Sequence, residues 1–114
     1  MSASILANLE KLIGTPRDGA LLRFSIGNEY LKLGETGKAA EQFREAVNRD
    51  PKYSAAWKQL GKTLTELGRD AEALATYKQG ITVAEARGDK QAAKEMTVFA
   101  KRLEKKLGEI LGNG

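Results

Sequence analysis

The chain contains neither cysteine nor histidine. The first absence excludes a disulfide framework, thiolate metal ligands and a cysteine nucleophile. The second removes the commonest metal ligand and the commonest acid–base group near neutral pH. Catalysis would have to rest on Asp, Glu, Lys, Tyr or Ser, and no nucleophile is set beside a base. Gly34-Glu35-Thr36-Gly37 and Gly68-Arg69-Asp70-Ala71 lack the Gly-Lys-Ser/Thr of a phosphate loop. The expectation is a non-enzyme with no metal, no cofactor and no small-molecule substrate. Long apolar runs are missing too. Residues 1–14, MSASILANLEKLIG, have no basic leader and are interrupted by Glu10-Lys11, so they read as neither signal peptide nor membrane span. A cytoplasmic location is expected. Only two prolines occur and strand-type alternation is absent, which leaves an all-α reading.

What is present suits one domain of 114 residues with a modest core. The formal charge of +4 is mildly basic, within the range of ordinary soluble surfaces. Ile5, Leu6, Leu9, Leu12 and Ile13 form a helical stripe over 3–13, with Ser2 or Ser4 available as N-cap. Thr15-Pro16-Arg17-Asp18 reads as the start of a second helix that Gly34 closes. Further helices are predicted from Lys38 to Arg49, Tyr53 to Leu67, Asp70 to Arg87, and Asp89 to Leu107. Asp50-Pro51 separates two of them, because proline disfavours helical geometry just before it. The segment 108–114 is expected to be a flexible tail.

Two segments share a sparse residue set at an offset of 34: Gly27 and Gly61, Leu33-Gly34 and Leu67-Gly68, Ala39 and Ala73, Phe43 and Tyr77. Such a period marks stacked helical hairpins. Residues 20–53 and 54–87 resemble tetratricopeptide repeats, whose pattern is W-x2-L-G-x2-Y…A-x3-F…P. The first copy supplies Ile26-Gly27, Tyr30, Ala39, Phe43 and Pro51, with Arg23 in place of tryptophan. The second supplies Trp57, Leu60-Gly61, Ala73 and Tyr77, with Leu64, Gly80 and Glu85 at the tyrosine, alanine and proline places. The resemblance implies a right-handed α-α superhelix of about six helices, and a protein-binding adaptor. Subtracting 34 from Ala39, Phe43, Ala46 and Val47 gives Ile5, Leu9, Leu12 and Ile13, so the first helix reads as the second half of a preceding hairpin. Adding 34 to Trp57, Leu60, Gly61 and Leu64 gives Gln91, Lys94, Glu95 and Val98, mostly polar. The helix 89–107 is therefore expected to cap the array with Ala92, Met96, Phe99, Leu103 and Leu107, not to open a third repeat.

In the family, first helices of hairpins line a concave groove. Carried over, these places are Leu21, Phe24, Asn28, Leu31 and Lys32, then Ala55, Lys58, Lys62, Thr65 and Glu66. Phe24, Asn28, Leu31, Lys32, Lys58 and Lys62 are the candidate site: apolar anchors, a backbone-reading amide and a positive field for a partner segment, possibly acidic. Of the five places by which some members clamp a chaperone carboxylate, falling on Phe24, Asn28, Gln59, Asp89 and Ala93, only Asn28 matches. The alternative is an RNA- or anionic-surface-binding repeat using this groove or the basic last helix, with Lys90, Lys94, Lys101 and Lys105 on one face. Nucleic acid is the less expected partner. A monomer or weak homo-oligomer is expected.

Overall fold

The computed structural model describes residues 2–110, with side chains from Ser4 onward. Six helices follow in order: α1 (Ser2–Glu10), α2 (Ala20–Lys32), α3 (Thr36–Arg49), α4 (Ser54–Glu66), α5 (Asp70–Arg87) and α6 (Lys90–Ile110). Each packs on its neighbour in sequence. Polar ties then sort them into two layers. Gln59 donates to the Asn28 side-chain carbonyl at 3.2 Å, joining α2 to α4, and Lys58 meets Glu95 at 3.0 Å, joining α4 to α6. On the other side the Arg44–Glu72 ion pair joins α3 to α5. α1 packs on α2, where Tyr30 donates to Glu10 at 2.8 Å.

Two glycines set how closely the layers approach. A Cβ added at Gly27 would lie 2.6 Å from the Phe43 ring, and one at Gly61 would overlap the Tyr77 ring. Both rings are almost fully buried. The missing side chain on the first helix of each hairpin is the seat for the aromatic ring on the second. Leaving the glycine unsubstituted costs helix propensity of about 1 kcal/mol. Gly34 and Gly68, at φ of +76° and +77°, turn the chain between the two helices of each hairpin. There Glu35 and Arg69 donate their N–H groups to the Tyr30 and Leu64 carbonyls, each at 2.9 Å.

The packing of α1 repeats an interior contact. Leu6, Leu22 and Ile26 form a small buried cluster, and 34 residues on stand Ala40, Ala56 and Leu60 of the main core. Ile5 and Ile13 remain 45% and 38% exposed. Ser2 and Ser4 both lie within α1, so neither is the residue that precedes it.

The expected boundary at Thr15-Pro16-Arg17-Asp18 is corrected: these residues form turns, and α2 starts only at Ala20. Asp18 does not reach forward to cap a helix. Its carboxylate accepts from the Gly14 N–H at 2.9 Å and pairs with Arg23 at 2.9 Å, so its acceptors are used in a loop clasp. Residues 108–110 of the expected tail continue α6; residues 111–114 lie outside those described.

α6 buries Ala92, Met96 and Leu103 of the expected capping stripe, in a register that the offset of 34 does not give. Its buried Ala92, Met96 and Ala100 follow Ala56, Leu60 and Leu64 by 36 residues, not 34. α6 thus takes the place of a third first-helix. The two-residue shift has a visible cause. Pro51 follows α3, whereas Glu85 at the matching place lets α5 run on to Arg87 before left-handed Gly88 ends it. α5 has 18 residues against 14 in α3, and its connector shrinks from 50–53 to 88–89. Asp89 then caps α6, accepting the Ala92 N–H at 3.2 Å and the Ser54 hydroxyl at 2.7 Å.

Gly61→Ala should destabilise the protein: overpacking of about 1–3 kcal/mol exceeds the helix gain of about 1 kcal/mol. Gly37→Ala, which meets nothing within 4 Å, should be neutral or slightly stabilising in the same urea unfolding experiment. Arg23 and the Gly14 N–H hold Asp18 well below the usual carboxylate range; Ser54 and the Ala92 N–H lower Asp89. Their stabilisation is complete above the unfolded carboxylate value of about 4 and is lost as pH falls below it. Asp18→Asn should therefore flatten the acid limb of the Tm–pH curve.

Candidate partner-binding groove

Only one of the six carried-over site residues is left unengaged. Phe24 is half-buried, its ring 5.6 Å from Phe43 and 4.9 Å from Tyr53, and Leu31 also packs on the core. Both side chains are partly taken up by the core, and Phe24 bridges the first hairpin to Tyr53. Asn28 spends its carbonyl on Gln59. Lys32 pairs with Glu29 at 2.9 Å, and Lys58 with Glu95. The expected positive field is thus largely neutralised along α2 and the start of α4. Lys62 is exposed and forms no ion pair among the described residues.

Lys62 stands at the rim of a pocket of about 280 Å³ between α4 and α6. α4 contributes Lys62, Thr65 and Glu66; α5 contributes Tyr77; α6 contributes Phe99, Arg102 and Leu103. The floor is apolar: the Tyr77 and Phe99 rings lie 5.6 Å apart, and Leu103 is buried beside them. The Arg102 guanidinium sits 5.8 Å from the Phe99 ring centre, where the ring face attracts the cation. The arrangement can receive one bulky apolar side chain and set an acidic neighbour against Lys62 and Arg102. Phe99 was expected only in the capping stripe, and neither it nor Arg102 was among the expected site residues, because an offset of 34 does not give the register of α6. Glu85 in place of proline was the available signal.

Burial pushes the Tyr77 hydroxyl up to about 12, and a hydrogen bond with Thr65 partly opposes this. The basic face of α6 is exposed at Lys90, Lys94, Lys101 and Lys105. Its flanks carry acids: Lys106 pairs with Asp70 at 2.7 Å, and Glu104 with Lys78 at 3.5 Å. No group of acidic residues that could hold a metal ion occurs among the described residues, and no helix there is long and apolar enough to cross a membrane.

A tetratricopeptide repeat family model matches residues 24–92, from within the first copy through the second and into α6. The chain belongs to this family. It is 46% identical over 101 residues to a TPR repeat-containing protein of Pseudomonas aeruginosa, covering 89% of this chain and 96% of that one. The solution structure of a Bordetella parapertussis protein is 38% identical, with a TM-score of 0.76 over 91% of this chain and 90% of that chain. At 15% identity, the TPR2B domain of yeast Sti1, in a complex with pHsp70, shares the fold at a TM-score of 0.81 over 92% and 84% of the two chains. The fold is thus an all-α helical repeat array. TPR domains are in general protein-interaction modules and typically non-catalytic.

Phenolate titration checks the buried floor. Tyr30 and Tyr53 are also raised, by the Glu10 hydrogen bond and by burial respectively, so no tyrosine should ionise at the ordinary value of about 10. Tyr77 should be last, near 12, and Tyr77→Phe should delete that step from the ultraviolet titration.

Proposed function

We propose that the chain is an adaptor that holds a short segment of a partner protein in the groove along α2, α4 and α6. The segment places one bulky apolar side chain in the pocket over Tyr77, Phe99 and Leu103, with an acidic residue beside it. The observation that carries this reading is that apolar pocket, rimmed by Lys62 and Arg102. Apolar depth with a few placed polar groups is the usual character of a ligand site. The remaining candidates take supporting parts. Asn28 and Gln59 brace the groove wall, Phe24 bridges the first hairpin to Tyr53, Leu31 packs on the core, and Lys32 and Lys58 act as paired charges.

A chaperone-tail carboxylate is not the proposed ligand. With α6 placed two residues further along, Gln91 and Glu95 take the places assigned to Asp89 and Ala93. Neither is a cation. Nucleic acid is less favoured because it calls for a continuous basic track, and Lys32 and Lys58 are already neutralised.

Amide-shift titration with peptides carrying leucine or phenylalanine flanked by aspartate tests the reading. Shifts should centre on Lys62, Thr65, Phe99 and Arg102. Lys62→Glu and Arg102→Glu should each weaken binding roughly tenfold, about 1.4 kcal/mol, while Lys58→Ala changes it little. Shifts confined to α3 and α5, or tighter binding of single-stranded RNA that falls steeply with salt, would refute it.

A further inference from the structure

We propose that copies of this chain associate end to end, α1 of one copy docking on the open side of α6 in the next to complete a hairpin between them. Inside the molecule both first-helices offer one place to the following helix, and α4 offers a second. One is the glycine seat, Gly27 for Phe43 and Gly61 for Tyr77. The other is the place of Trp57, whose Cβ would lie 2.8 Å from a Cβ added at Gly80. On α6 these places fall 36 residues later, at Thr97 and Ala93. Both line a crevice at the end of the array, beside Val98, which is 43% exposed.

The filling residues of the second helices, carried back in steps of 34, fall on α1 and the turn that follows it. Phe43 and Tyr77 become Leu9, while Ala46 and Gly80 become Leu12. The sizes change in compensating directions at both places. Where the interior sets an aromatic ring against glycine, the two ends set leucine against threonine. Where the interior sets tryptophan against glycine, they set alanine against leucine. Thr97 could not seat a ring as Gly61 does, and α1 carries no ring at that place. Leu9 and Leu12 are half-buried against the Leu6 cluster, and beside them Ile5 is 45% exposed. The contact would continue the packing already present between α2 and α3 and between α4 and α5. It is heterologous, so it does not close and extends into chains of copies.

Sedimentation of the 114-residue chain across a concentration series tests this. The mass should rise from the 12.4 kDa monomer with concentration. Ile5→Glu and Thr97→Arg, each confirmed folded by circular dichroism, should each remain monomeric, because each blocks one end. Their equimolar mixture should recover a species of twice the monomer mass, since one open end of each kind survives. Val98→Asp serves as a second blocked-α6 variant. Because the chain has no cysteine, Leu9→Cys/Thr97→Cys should oxidise to a ladder of multimers, and neither single variant should. A monomer at every concentration, self-association that survives the blocking variants, or equal cross-linking by the single variants would overturn the proposal. So would an acidic peptide that occupies the Val98 crevice while the chain stays monomeric.

Discussion

The architecture depends on the seating of an aromatic ring over a glycine. Phe43 on Gly27 and Tyr77 on Gly61 draw the two layers to a separation that no side chain at those glycines would permit. Because interiors pack like crystals, the pair cannot be loosened by degrees. Everything outward of it inherits that spacing: the Phe24, Phe43 and Tyr53 ring cluster, and the Tyr77–Phe99 contact that floors the pocket. Tyr77 therefore serves both the stability of α4 against α5 and the shape of the groove between α4 and α6.

The second constraint is where α5 stops. A proline after α3 forces an early turn, whereas Glu85 permits another helical turn before Gly88. That single difference rotates the register of α6 and decides which of its residues meet α4. With an offset of 34, Lys94 and Val98 would be buried in the core, an arrangement costly for a lysine. With 36, Met96 and Ala100 are buried instead, and Arg102 reaches the groove rim. The Ser54–Asp89 hydrogen bond then holds the two helix starts together.

Sequence periodicity marked the hairpins and paired α1 with their second helices, because each is a local pattern repeated at a fixed interval; that Phe43 and Tyr77 sit on Gly27 and Gly61 is a tertiary contact the period does not state. The start of α2 was misplaced because Thr15-Pro16-Arg17-Asp18 satisfies a capping pattern locally. Arg23, five residues beyond Asp18, competes for the same carboxylate. The groove was the least legible part. Lys32 and Lys58 look identical to Lys62 in the sequence, and what separates them is a carboxylate placed opposite. Glu29 sits three residues before Lys32, but Glu95 reaches Lys58 only through the tertiary arrangement.

For the proposed partner segment, the pairing of those lysines leaves few charges to compete with the apolar contact. An exposed charge such as Lys62 or Arg102 is worth at most about 1 kcal/mol against an acidic residue, and salt reduces it. One leucine or phenylalanine side chain taken out of water is worth about 1.5–3 kcal/mol. The apolar residue therefore carries the larger share, and the charges mainly orient the segment and hasten encounter. Together the two terms barely reach the roughly 4 kcal/mol of a millimolar complex. A useful affinity accordingly requires the segment to extend beyond the pocket, along the wall braced by Asn28 and Gln59. On this reasoning the length of the proposed segment, more than its charge, would set how tightly the groove held it.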